Sequence, residues 1–120
     1  MAKQIRPRPQ KRKAQASTVR HHVADWRVYR NLTQEQLAER IDRSRGLISQ
    51  YESGETELTE SSMHALAEAL RCSVRELLEV DPFAEGKVID ALDLFRNLES
   101  DSARDRAIGY MESLLPARKA

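Results

Sequence analysis

A chain of 120 residues with 32% charged side chains, a net charge of +1 and one cysteine has room for a single small domain with an appendage. A lone cysteine excludes a disulfide framework or a thiolate metal cluster within the chain. No apolar run approaches membrane-spanning length, and the opening MAKQIRPRPQKRKA lacks the apolar stretch of a signal peptide, so a reducing, cytoplasmic setting is expected.

Aromatic residues make up only 5% of the chain, and Leu and Ala dominate its apolar set, which favours helix packing over sheet and predicts an all-α fold. The charge is unevenly spread. Residues 1–20 hold seven Lys and Arg and no acid, whereas residues 55–80 hold two basic residues against six acidic ones. The near-neutral total therefore hides a basic arm on a neutral-to-acidic body.

Residues 1–16 include Lys11, Arg12 and Lys13 and have almost nothing apolar to bury, so this arm is expected to be disordered on its own. Ser17 or Thr18 can start a first helix that carries Val19, Val23 and Trp26 inward and runs to about Arg30, with Asn31 in the left-handed position after it. Thr33 can cap a second helix, because its oxygen accepts from an orphan amide one turn in. Leu37, Ala38 and Ile41 of that helix share a face. Asp42-Arg43-Ser44 interrupts the pattern, and Ser44 caps a third helix over residues 45–52 with Ile48 and Tyr51 inward. Its remaining residues, Arg45, Gly46, Leu47, Ser49 and Gln50, have no apolar face to serve. Gly54 stops it, and Glu55 to Leu58 form a loop.

Thr59 or Ser61 begins a fourth helix with Met63, Leu66, Ala67 and Leu70 at helical spacing. Cys72 reads as a small buried hydrophobe. Ser73 with Glu76 forms a capping box for a fifth helix bearing Val74, Leu77 and Leu78, which ends near Val80 before Asp81-Pro82. Val88, Ala91, Leu92, Phe95 and Leu98 define the apolar face of a sixth helix. Ser102 with Asp105 resembles a capping box for a seventh, bearing Ala103, Ala107, Met111 and Leu114 and ended by Pro116. Two such helices are too small for a core of their own. Ile89, Leu94, Ile108 and Leu115 widen the apolar face, which favours a second copy as the partner over an extension of the same core.

The two-helix stretch Leu32 to Gly54 carries a specific pattern: Leu32-Thr33-Gln34, Leu37-Ala38, Ser44-Arg45, Ile48-Ser49, then Glu52 and Gly54. With its flanking helices it resembles the DNA-binding domain of the lambda-repressor, Cro and 434-repressor (XRE-type) family of bacterial and phage regulators, over roughly Val19 to Leu78. The resemblance implies a helix-turn-helix whose second helix enters the major groove of double-stranded DNA, usually in a dimer on two half-sites. It also implies that Ala38 lets the helices cross closely, that Gln34 meets phosphate and braces the recognition helix, and that Arg27 and Glu52 form a structural pair.

The chemistry of the outer face agrees. Arg45 suits a bidentate contact to guanine, and Gln50 can read an adenine. Ser44 and Ser49 flank them. Gly46 permits close backbone approach or gives up a contact, and Leu47 suits a thymine methyl or packs on a neighbouring helix. Arg43 stands where the family has an apolar turn residue, so its stem packs while its head reaches phosphate. Asp42 replaces the usual turn glycine and tolerates left-handed geometry. The segment Glu55–Glu60 is acidic where relatives place basic residues, and the arm is expected either to offset this on phosphate or to serve as a solvated tail.

Catalytic candidates are thin: His21 and His22 face different sides of a helix, His64 stands alone, and no metal-ligand spacing or phosphate-cradling loop is present. No enzyme activity, metal or cofactor is expected. The domains follow as a basic arm (1–16), a five-helix DNA-binding domain (17–80) and a C-terminal helical hairpin (81–120). In that hairpin Val88, Leu92, Phe95, Leu98, Ile108, Met111, Leu114 and Leu115 are expected to form a dimer interface. The function expected is a sequence-specific homodimeric regulator, acting as a repressor by occupying a palindromic operator. RNA polymerase or an antagonist protein remains a possible further partner. Two alternatives stay open: an antitoxin-type protein whose last helices hold another protein, and an interaction module that has lost DNA binding.

Overall fold

The computed structural model describes residues 20–117, and the chain divides into two compact units, Met1–Glu85 and Gly86–Ala120. Seven helices and no strand occur among the described residues, so the fold is all-α as expected.

The first unit holds α1 (Val23–Tyr29), α2 (Gln34–Arg40), α3 (Arg45–Ser53), α4 (Glu60–Leu70) and α5 (Val74–Glu79). Side-chain caps set most of the starts. Thr33 Oγ1 accepts from Gln36 N at 3.0 Å while Gln36 Oε1 accepts from Thr33 N at 2.9 Å. Ser73 and Glu76 make the same reciprocal pair at 3.0 and 2.8 Å, and Thr59 does so with Ser62. Each such cap contributes about 1 kcal/mol. Left-handed residues make the stops: Asn31 at φ 60°, Asp42 at 56°, Arg71 at 56° and Gly54 at 83°.

The first helix departs from expectation. It starts at Val23, not at Ser17 or Thr18, and residues 20–22 are not helical. The reason is tertiary: His22 N donates to Leu77 O at 2.8 Å, which ties this turn to α5 and pulls it out of helical register. Ser17, Thr18 and Val19 lie outside the described residues.

Periodicity places the core. Val23, Trp26 and Tyr29 of α1 are buried with Leu37 and Ala38 of α2, Ile48 and Tyr51 of α3, Leu66, Ala67 and Leu70 of α4 and Leu77 of α5. Met63, Val74, Leu78 and Cys72 are only half-buried. Trp26 Nε1 donates to Glu76 O and Val80 O, both at 3.0 Å, so the largest core residue also satisfies the last carbonyls of α5. Arg30 is buried too, at 8% exposure. Its guanidinium donates to Leu70 O at 2.8 Å and Arg71 O at 3.0 Å and lies 5.3 Å from the Trp26 ring centroid. A cation thereby closes the negative end of α4.

The second unit holds α6 (Gly86–Arg96) and α7 (Asp101–Ser113). The cap of α7 is Ser100, whose Oγ accepts from Ala103 N at 3.1 Å, not Ser102, which falls inside the first turn. Ser100 has the extended backbone a cap requires (φ −131°, ψ 152°) and sets Asp101 at the positive end of the helix. Ile89 is buried, Leu92, Phe95 and Leu98 are half-buried, and Val88 and Ala91 are exposed. No residue of α7 is buried. Among the described residues no helix is long and apolar enough to cross a membrane.

Candidate nucleic-acid interface

The junction of α2 and α3 is built from its turn outward. Ala38, 2% exposed, leaves room for close helix crossing. Its carbonyl accepts from Arg43 N at 2.9 Å, and Asp42 takes the left-handed residue between them. Ser44 then opens α3 by accepting from Leu47 N at 3.1 Å. With Ile48 and Tyr51 turned inward, the 3.6-residue repeat leaves Arg45, Gly46, Ser49 and Gln50 exposed. Leu47 is half-buried, so it packs in part. Among the described residues a Cβ placed on Gly46 would meet only Ser44 Oγ, at 3.9 Å, so none of their packing demands glycine there.

One network fixes this surface from below. Arg27 donates to Glu52 Oε2 at 2.6 Å and Oε1 at 3.0 Å, and also to Leu32 O at 2.8 Å. Gln34 Nε2 donates to Glu52 Oε1 at 3.0 Å. The Glu52 side chain is only 8% exposed, so this carboxylate is desolvated and satisfied by donors from α1 and α2 together. Gln34 therefore braces α3 directly. Arg43 is exposed, with Nη1 donating to Asp42 O at 3.1 Å.

Around the rim, Glu55 and Glu57 are exposed, whereas Glu60 is the first residue of α4, where a carboxylate opposes the helix dipole favourably. His21 sits half-buried, its Nδ1 accepting from Val23 N at 3.3 Å. Burial pushes its pKa below 6.5, aided by neighbouring His22 and opposed by a hydrogen bond with the Tyr51 backbone and by Glu52. No sequence pattern signals the burial of His21 or Arg30, or the place of Thr56, whose hydroxyl lies 3.2 Å from Gln50 Oε1. Lys11, Arg12 and Lys13 lie outside the described residues. Of the C-terminal residues singled out, Val88, Ile108, Met111, Leu114 and Leu115 are exposed.

The helix-turn-helix family model matches residues 23–77, which span α1 through Leu77 of α5. The chain carries a lambda-repressor/Cro-like (XRE-type) helix-turn-helix domain. Comparison with curated proteins and with solved structures gives no match. That match supports a DNA-binding helix-turn-helix regulator, and within the matched domain α3 is the second helix of the motif.

Proposed function

We propose that the protein is a sequence-specific repressor that binds a palindromic operator as a homodimer, with α3 in the major groove. The division of α3 carries this reading: Ile48 and Tyr51 anchor the helix while Arg45, Gly46, Ser49 and Gln50 face solvent. Arg45, at the helix start, makes a bidentate contact to guanine, and Gln50 reads the base one turn on. Gly46 lets the backbone approach the groove. Ser44, Arg43 and the basic residues of the arm, Lys11 to Lys13 among them, hold phosphate, while Leu47 touches a thymine methyl at the edge of the contact. Residues 86–117 supply the dimer contact, because Ile108, Met111, Leu114 and Leu115 are exposed together on and just beyond α7. Repression is the sign we propose, because a protein seated in the major groove of a promoter blocks it by occupancy alone.

Selection of bound sequences from a random DNA pool tests the reading. The expected product is a two-fold symmetric site. Arg45→Ala and Gln50→Ala should each remove about 1–3 kcal/mol of discrimination at one base pair per half-site. If neither substitution alters affinity for the selected site, α3 is not the recognition helix.

A further inference from the structure

The end of α3 is unusual in what it does with Gln50. Gly54, left-handed at φ 83°, sends its N–H to Tyr51 O at 3.2 Å. Glu55 N is diverted to Ser53 Oγ at 3.3 Å. The Gln50 carbonyl is then filled from two sides, by the Ser53 hydroxyl and by Thr56 N, each at 3.2 Å. This folds the loop back over the helix and sets Thr56 beside the Gln50 side chain, where the Thr56 hydroxyl donates to Gln50 Oε1 at 3.2 Å. Main chain and side chain thus meet the same residue independently.

We propose that Thr56 is a specificity-determining residue that positions the Gln50 amide, a role that rests on the reading of α3 as the recognition helix. A glutamine amide has an acceptor oxygen and a donor nitrogen on opposite forks, and a free one can present either to a base edge. With Oε1 turned to Thr56, the amide enters the groove nitrogen first. Gln50 then favours acceptor edges, such as a purine N7, guanine O6 or thymine O4, and rejects the N4 amino group of cytosine. Holding one rotamer before binding also lowers the entropy lost on docking. The loop that carries two exposed carboxylates beside the DNA face is therefore tied to the reading residue itself.

Thr56→Val isolates the hydroxyl, because valine keeps the backbone N–H that binds Gln50 O and the branched shape. Thr56→Ser retains the donor. Full-length wild-type, T56V, T56S and Q50A proteins would each be put through selection from a random DNA pool, followed by affinity measurements on single-base variants of the selected site. Q50A identifies the base pair concerned. T56V should weaken the rejection of cytosine at that pair by about 2- to 10-fold while leaving the other positions unchanged, and T56S should restore it. Unchanged base preference in T56V overturns the proposal. So does a uniform loss of affinity on all sequences, which would make Thr56 a phosphate contact. If wild type shows no preference, or Q50A alters none, the recognition-helix reading fails as well, an outcome distinct from failure of T56V alone.

Discussion

Residues 23–77 bury twelve apolar side chains, from Val23 and Trp26 to Leu77, and no large apolar residue in the described part of the first unit is exposed. Residues 86–117 bury Ile89 and expose Val88, Leu94, Ile108, Tyr110, Met111, Leu114 and Leu115. Both segments contain helices with side-chain-capped starts, α2 to α5 in the first and α7 in the second, so capping does not separate them. Their difference lies in what each helix is given to pack on. The helices of the first unit are mostly shorter than eleven residues, too short to persist alone, and they are held by a shared core and by Arg27 and Arg30. The thirteen residues of α7 have caps but bury nothing. Under the proposed function these exposed apolar residues are the dimer contact. Reading DNA demands a rigid platform, whereas an assembly element is completed by its partner.

The contrast can be broken most severely in the first unit. Arg27→Ala leaves Glu52 buried with Gln34 Nε2 still donating to it and removes the donor to the Leu32 carbonyl. Removing one partner of such a pair costs about 3–5 kcal/mol. Urea unfolding followed by circular dichroism should show that loss. A change under about 1 kcal/mol would mean that the network is dispensable and that the apolar core alone fixes α3 against α1.

In the second unit the same experiment should give the opposite result. Met111→Glu combined with Leu114→Glu places charge on exposed positions, where the folded chain loses no core contact, so the stability of the helix-turn-helix domain should change by less than about 0.5 kcal/mol. Assembly should suffer instead. Sedimentation should show wild type at twice 13.8 kDa and the double variant at 13.8 kDa, with DNA affinity on a two-half-site operator reduced by about 100-fold through lost avidity. A wild-type chain that sediments as a monomer at micromolar concentration would remove the dimer from the proposed function.

Local chemistry was legible in the sequence, and contacts distant along the chain were not. Thr33, Ser44 and Ser73 were readable as caps because a cap joins residues three apart. The inward and outward faces of α3 followed from helical periodicity alone, and Arg27–Glu52 followed from the family pattern. The start of α1 was not readable, because it is set by the bond from His22 N to Leu77 O across nearly the whole domain. The burial of Arg30 likewise depends on carbonyls at Leu70 and Arg71. Ser102 carries the stronger sequence signal, with Asp105 three residues on, but the extended backbone lies at Ser100, which takes the cap. Within the site, Arg45 and Gln50 could be picked out by residue type, whereas Thr56 lies in a loop with no repeat to place it against Gln50.

The smallest expected effect is a pH dependence confined to the first unit. His21 accepts from Val23 N through Nδ1 and is hydrogen-bonded with the Tyr51 backbone, so its ring joins the entry of α1 to the last turn of α3. Accepting at Nδ1 requires the neutral ring, and burial lowers its pKa below 6.5, with His22 adding to the shift and Tyr51 and Glu52 opposing it. A lowered pKa means that folding favours the neutral form. The stability it contributes is present in full above 6.5 and is lost as pH falls from there through the lower folded value. His21→Asn keeps an acceptor oxygen and removes the titration. Between about pH 7.5 and 5.5 the variant's melting temperature should therefore fall less than that of wild type, while the effects of Arg27→Ala and of the α7 substitutions stay the same at both pH values. Equal slopes in wild type and variant would assign the acid sensitivity to other groups and leave His21 as a cap alone.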